Sequence, residues 1–379
     1  MHVLFWASLA VLFYTYAGYP LLVMVLGRIR RMPVHAGSYE PAVSIIIAAR
    51  NEATSIRATL ENKLQLQYAA GRVQIIVVSD ASMDGTDAIV REFESAGVLL
   101  LRQEPHRGKT AALNLAAAHA VGDVFVFADA NSMYAPGALR MLLRNFRDPA
   151  VGYVTGRLLY GLEAGSGISN GCAAYMHYED LLRRSETALG SIVGVNGGID
   201  AVRRSLFLRM DDGQLPDFVL PLHVVREGFR VVYESDALLS EDSLTTSRAE
   251  YKMRVRVAVR AWWTLVEMSA LFNPFQYGLY SLQLFSHKAL RYLAFVALPV
   301  LYVSSLALAS SGIVYATAFA AASIFIAAGA LGYALDYIGR SNRITSLPYY
   351  FILINVAAGH ALLHFLRGRR QAVWTPRLG

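Results

Sequence analysis

Val43-Ser44-Ile45-Ile46-Ile47-Ala48-Ala49-Arg50-Asn51-Glu52 is an apolar run, broken only by Ser44, that ends abruptly in charge. A short unbroken run of this kind suits a strand buried on both faces, as in a parallel sheet. Helical spacing follows over residues 53–66. The unit then recurs, with strand-like runs at 73–79, 98–101 and 124–128 and helix-like runs at 87–95 and 109–120. Such alternation, kept up over residues 41–235, predicts an α/β fold: a mostly parallel sheet with helices on both faces. Sheets of this class bind ligands beyond the carboxyl ends of their strands. The polar residues after each strand are therefore the candidates for function.

Four clusters stand there. Arg50-Asn51-Glu52 follows the first strand, and Asp80-Ala81-Ser82-Met83-Asp84-Gly85-Thr86 the second. Arg107-Gly108-Lys109 opens a helix, and Asp129-Ala130-Asn131 follows the fourth strand. Acidic groups can hold the sugars of a nucleotide and a divalent cation. Lys109 near a helix N-terminus can meet phosphate. The Asp129 cluster supplies the oxygen ligands that Mg²⁺ and Mn²⁺ prefer. Taken singly, each has a plainer reading: Asp84-Gly85 as a turn, Asp80 or Ser82 as a helix cap. The functional signal lies in their order on one βαβ frame.

Composition adds a membrane. Of the 379 residues 55% are hydrophobic and only 17% charged, against about a quarter charged in soluble domains. Residues 3–26 carry no charge and are followed by Arg28, Arg30 and Arg31. At about 1.5 Å per residue this run matches a hydrocarbon core of about 30 Å. It lacks the basic leading region of a cleaved signal peptide and exceeds its usual apolar length, which favours a retained anchor over residues 1–27. The arginines place the domain that follows, residues 41–265, in the cytoplasm. Residues 270–291 mix aromatics with polar residues and read as an amphipathic helix in the headgroup plane. Further apolar segments at 293–310, 312–335 and 347–366 make residues 292–367 a membrane region, and 368–379 a basic tail. Three C-terminal crossings would leave Arg367, Arg369, Arg370 and Arg377 outside, against the positive-inside rule, so one of these segments is expected not to cross. The lone Cys172 excludes an internal disulfide. A net charge of +7 with no nucleic-acid module points to anionic lipid and a sugar diphosphate rather than a nucleic acid polymer.

Together the strand-end motifs resemble those of family 2 glycosyltransferases with the GT-A fold. The matching stretches are Val43 through Glu52, Val78-Ser79-Asp80-Ala81-Ser82-Met83-Asp84-Gly85-Thr86, Gly108-Lys109-Thr110-Ala111-Ala112-Leu113-Asn114 and Phe127-Ala128-Asp129-Ala130-Asn131. Asn196-Gly197-Gly198-Ile199-Asp200 resembles the family's acceptor-side loop. Pro216-Asp217-Phe218-Val219-Leu220 resembles its catalytic-base segment.

The resemblance implies that Glu52, Asp80, Lys109, Asp129 and Arg260 bind the nucleotide-sugar. Asp129 and Asn131 would hold Mn²⁺ or Mg²⁺, and Asn196, Gly197 and Trp262 would meet the acceptor. Asp217 would be the base in an inverting displacement at the anomeric carbon. Asn131 departs from the usual second aspartate, which weakens the metal site. Val257 and Ala261 break the Gln-x-x-Arg-Trp pattern of processive members. Trp262 and Trp263 suit either a sugar or the membrane surface. The implied activity is transfer of a sugar, UDP-linked by resemblance, to a lipid-linked or growing surface glycan at the inner membrane. A processive synthase coupled to export and a non-catalytic sugar-nucleotide-binding assembly partner are the alternatives.

Overall fold

The computed structural model describes residues 1–160, 167–241, 246–340 and 342–370. It divides into two compact units: residues 30–161 with 186–241, and residues 1–29 with 162–185 and 242–369.

The first unit is built on one eight-stranded sheet of order β3-β2-β1-β4-β7-β6-β8-β5. Its strands are β1 (Val43–Ala49), β2 (Val73–Asp80), β3 (Val98–Gln103), β4 (Val124–Asp129), β5 (Met133–Tyr134), β6 (Val151–Tyr160), β7 (Asp200–Arg203) and β8 (Arg230–Glu241). All seven residues of β1 are buried, and it pairs in parallel with β2 and β4. Strands β4 and β6 both run antiparallel to β7, while β8 is parallel to β6. The expected parallel core is thus one half of a mixed sheet. Its core includes Ile45, Ile47, Ile75, Val77, Val126, Leu139 and Leu142, each at most 4% exposed. Burying each such side chain stabilises the fold by about 1.5–3 kcal/mol.

The helices of this unit are α2 (Ile56–Leu64), α3 (Thr86–Arg91), α4 (Lys109–His119), α5 (Ala138–Leu143) and α7 (Pro216–Arg226). Strand order reverses at β1, whose two neighbours are β2 and β4. That is a topological switch point, where a crevice opens at the carboxyl edge. The register aligns Ala48 with Val78 on one side and with Asp129 on the other. The loops carrying Glu52, Asp80 and Asp129 consequently leave the sheet at one level.

The second unit is helical: α1 (His2–Ile29), α6 (Gly167–Leu189), α8 (Ser247–Glu267), α9 (Leu279–Ala307), α10 (Ile313–Tyr337) and α11 (Arg343–Leu366). Among the described residues α1, α9, α10 and α11 are long and apolar enough to cross a membrane. The single helix expected over 270–291 is instead broken. Asn273 caps the turn Pro274–Tyr277 through a 3.0 Å bond from the Phe275 amide, and Gly278 takes φ +55°. From Leu279 the helix runs on through His287, Lys288 and Arg291 into the apolar segment. Of the basic tail, residues 371–379 lie outside the described residues.

Helix α8 has too many charges for lipid, with Arg248, Glu250, Lys252, Arg254 and Arg256 in its first half. It is paired with α11 along most of its length. Glu250 accepts from Tyr350 at 3.0 Å, Tyr251 bonds His360 at 3.0 Å, and Trp263 donates to the Arg369 carbonyl at 3.1 Å. Between these contacts Val255, Ala258 and Val259 pack on Ala357 and Ala361. The two helices therefore run in the same direction.

Candidate active site

Asp80, 1% exposed at the end of β2, accepts four hydrogen bonds. They come from Gln103 Nε2 (2.7 Å), the Arg107 amide (2.9 Å), the Gly108 amide (2.8 Å) and the His106 ring (2.6 Å). Its carboxylate is bonded to the 103–108 loop. The loop delivers Lys109 to the first position of α4. Lys109 Nζ donates to Asp129 Oδ1 at 2.5 Å. Burial disfavours the Lys109 charge, but Asp129, Asp217 and Asp200 outweigh it and hold the ammonium above its ordinary range. The three acidic side chains therefore lie near one cation.

Helix α4 also fixes the approach to Asp217. Thr110 Oγ1 donates to the Gln214 carbonyl at 2.9 Å, and Asn114 exchanges two bonds with Met210, at 2.6 and 3.1 Å. Pro216 then starts α7, where its missing N–H is no loss. Asp217 sits in the first turn rather than at the cap, where unpaired amides favour a carboxylate. Arg107 bonds Asp212 at 2.9 Å, outside this cluster.

The Asn196-Gly197-Gly198 turn closes the other side. Asn196 is 6% exposed and donates Nδ2 to the Gly156 carbonyl at 2.8 Å, which makes it a staple of the turn. The two glycines make room for acids. A Cβ on Gly197 would collide with the Asp217 carboxylate. One on Gly198, at φ +87°, would lie 2.9 Å from Glu241 Oε1 and 3.3 Å from Asp129 Oδ2. Asp200 is 1% exposed and bonds the buried Tyr153 hydroxyl. Burial and then the Asp217 charge push its carboxyl well above the usual range, which favours its protonated form.

After β1, Glu52 accepts from Ser55 Oγ at 2.6 Å, and its amide donates to Thr86 Oγ1 at 2.9 Å. Asn51, at φ +52°, accepts from the Met83 amide at 2.9 Å. The first two strand-end loops are thereby zipped together. Arg260 and Trp262 lie on α8 in the helical unit. Arg260 is 6% exposed, and the Trp262 ring packs between Tyr292 and Phe365, with centroids at 5.9 and 6.0 Å.

Asp129 and Asn131 offer one carboxylate and one amide oxygen, hard donors that fit Mg²⁺ or Mn²⁺. Among the described residues no group of three His, Cys, Asp or Glu could hold a metal ion alone. A metal held there would need further ligands, of the kind a diphosphate and water supply to Mg²⁺.

Sequence reading passed over Glu241, Ser132, Tyr134 and a face of α2. Glu241 Oε1 accepts from Ser132 Oγ at 2.8 Å, and Ser132 Oγ accepts from the Asp129 amide at 3.2 Å. The Tyr134 hydroxyl donates to the Gly198 carbonyl at 2.7 Å. One signal for the α2 face was available: Lys63 falls seven residues after Ile56, on the buried phase of its helix. It is 2% exposed, and burial pushes its ammonium down to about 7.

Residues 44–207 match the family model described as glycosyl transferase family 2. The chain carries a family 2 glycosyltransferase domain, with the GT-A fold. A β-monoglucosyldiacylglycerol synthase from Nostoc sp. is 28% identical over 209 residues, 54% of this chain and 45% of that protein. A poly-β-1,6-N-acetyl-D-glucosamine synthase from Staphylococcus aureus is 25% identical over 222 residues, 57% of this chain and 53% of that protein. The match thus spans about half the length of these curated relatives. A solved mannosyltransferase from Pyrobaculum calidifontis, in complex with GDP-Man and Mn²⁺, shares the fold. Its TM-score is 0.71 at 21% identity, covering 97% of this chain and all of that one.

Proposed function

We propose that the protein transfers a sugar from a nucleotide-sugar donor to an acceptor hydroxyl at the inner membrane, with inversion. The observation that carries this reading is the convergence of Lys109, Asp129 and Asp217 at the switch-point edge of the sheet. Asp217 takes the proton of the acceptor hydroxyl as its oxygen attacks the anomeric carbon. The bond to the nucleotide diphosphate breaks on the opposite side, and the Lys109 ammonium faces the charge that develops there. Asp129 and Asn131 would hold Mg²⁺ or Mn²⁺, which when bound supplies further positive charge to the leaving diphosphate. Asp80 acts by fixing the loop that presents Lys109. Glu52 lines the crevice beside it.

The acceptor is a lipid-linked or growing surface glycan, in keeping with the lipid and polysaccharide products named for the two relatives. Single transfer is favoured over processive synthesis by Val257 and Ala261, which break the processive motif. The catalytic unit faces the cytoplasm. Helices α1, α9 and α10 cross the membrane, whereas α11 lies beside the charged α8.

The test offers purified full-length protein a panel of UDP- and GDP-sugars with Mn²⁺, with Mg²⁺ and with chelator. Released nucleotide and product length are measured. Metal-dependent release with a single-sugar product supports the reading; a ladder of long products supports the processive synthase, and no release from any donor sinks the enzymatic account.

A further inference from the structure

Residues 129–132 leave β4 as a turn, closed by the Ser132 amide donating to the Asp129 carbonyl at 3.2 Å, and one face of α2 holds residues 130–134 from behind. Thr59 Oγ1 donates to the Ala130 carbonyl at 2.6 Å. Lys63 Nζ donates to the Ser132 carbonyl at 2.5 Å and to Asn62 Oδ1 at 3.0 Å. Asn62 closes a pair of 2.9 Å bonds with the Tyr134 backbone, donating to its carbonyl and accepting from its amide. The three side chains stand at i, i+3 and i+4, one helical face. They take the carbonyls of residues 130, 132 and 134, in the turn and just after it. Asn131 lies between two of these fixed points. Thr59 and Lys63 are at most 2% exposed, and the Lys63 ammonium sits 3.8 Å from the Tyr134 ring centre. Ser132 continues the chain of bonds to the Asp129 amide and to Glu241.

We propose that Thr59, Asn62 and Lys63 are positioning residues that set the Asp129–Asn131 turn for binding a metal–nucleotide diphosphate. This rests on the reading of Asp129 and Asn131 given above. The sheet alone cannot do this work, because β4 ends at Asp129 and the next paired residue is Met133. Between them the Ala130 and Ser132 carbonyls find their partners on α2. A loop held at alternate carbonyls keeps its ligating oxygens in place before the ligand arrives, which lowers the ordering cost of binding.

The test uses full-length protein in detergent, with Mn²⁺ and UDP, and separately Mn²⁺ and GDP, titrated by calorimetry. Thr59→Val removes one hydroxyl donor at nearly constant shape. Lys63→Met removes the ammonium, and Lys63→Arg restores a charged donor. The dissociation constant of the Mn²⁺–nucleotide pair is expected to rise about tenfold in Thr59→Val and Lys63→Met. The donor KM should rise with it, kcat should change less, and Lys63→Arg should recover part of the loss. Should Lys63→Met fail to fold, Thr59→Val carries the test alone. Asp129→Asn separates the two claims. If it loses binding while folded Thr59→Val binds as wild type, the positioning role is overturned. If Asp129→Asn itself binds as wild type, the site reading is overturned.

Discussion

Gly197 and Asp200 show how tightly single residues are constrained around Asp217. Gly197 has no room for a methyl group, because the Asp217 carboxylate fills that space. Gly197→Ala is expected to displace the base by a fraction of an ångström to an ångström. Steady-state kinetics should show kcat falling about 100-fold, as small misplacements do, with unchanged circular dichroism. Asp200 makes a pH prediction. Its folded carboxyl keeps a proton that the unfolded chain, with a pKa of about 3.9, releases. The stabilisation this proton gives is complete below about pH 3.9 and is lost as pH rises towards the folded value. Asp200→Asn lacks that titration. Melting temperatures measured from pH 4 to pH 7 should therefore move in favour of the variant as pH rises, and parallel curves would contradict a raised Asp200 carboxyl. Sequence reading could find Asp217 and Gly197 only through resemblance. Nothing in residues 196–200 distinguishes a turn that makes room for carboxylates from any glycine-rich loop.

Among the elements, β1, β2 and β4 were legible because strands buried on both faces are written as unbroken apolar runs, and β3, though half-exposed, opens on the apolar run Val98-Leu99-Leu100-Leu101. The strands β6, β7 and β8 were not. Strand β6 is interrupted by Gly152, Gly156 and Arg157, β7 has four residues, and β8 carries Glu234, Ser235 and Asp236 at its middle. Their pairing is fixed by contacts distant in sequence. The α2 clamp was only partly legible: the phase of Lys63 marks it as buried, but the clamp's partners, the Ala130, Ser132 and Tyr134 carbonyls, lie about seventy residues away. Element α11 bears on which C-terminal segment does not cross. Its apolar window is 39% buried within the protein, against 6% for α10. It follows α8 in parallel, from Tyr350 at Glu250 to Arg369 at Trp263. The charges of α8 keep that helix out of hydrocarbon, so α11 is expected to lie in the interfacial zone with it. Arg367, Arg369 and Arg370 then stay on the side of α8, in agreement with the positive-inside rule. Single cysteines at Arg367 and at Leu308, placed in a Cys172→Ser background, test this by labelling intact and permeabilised cells with a membrane-impermeant maleimide. Labelling at 308 but not 367 in intact cells is predicted; labelling at 367 in intact cells would make α11 a crossing helix.

At the scale of the whole molecule, the fold class and the strand-end motifs were present in the sequence, because periodicity and charge position are local properties. What the charges do was not. Asp80 was expected to touch the nucleotide, yet its four hydrogen bonds all go to the 103–108 loop. Asn196 holds its own turn. These protein partners depend on contacts distant in sequence, which the sequence does not display. The account stands or falls on Asp217 as the base that activates the acceptor. The most direct measurement compares wild type with Asp217→Asn, purified at full length, for donor binding by calorimetry and for acceptor-dependent nucleotide release. The predicted result is donor affinity within about threefold of wild type and release lowered at least about 1,000-fold, the scale of removing a general base. Wild-type release by Asp217→Asn would contradict it.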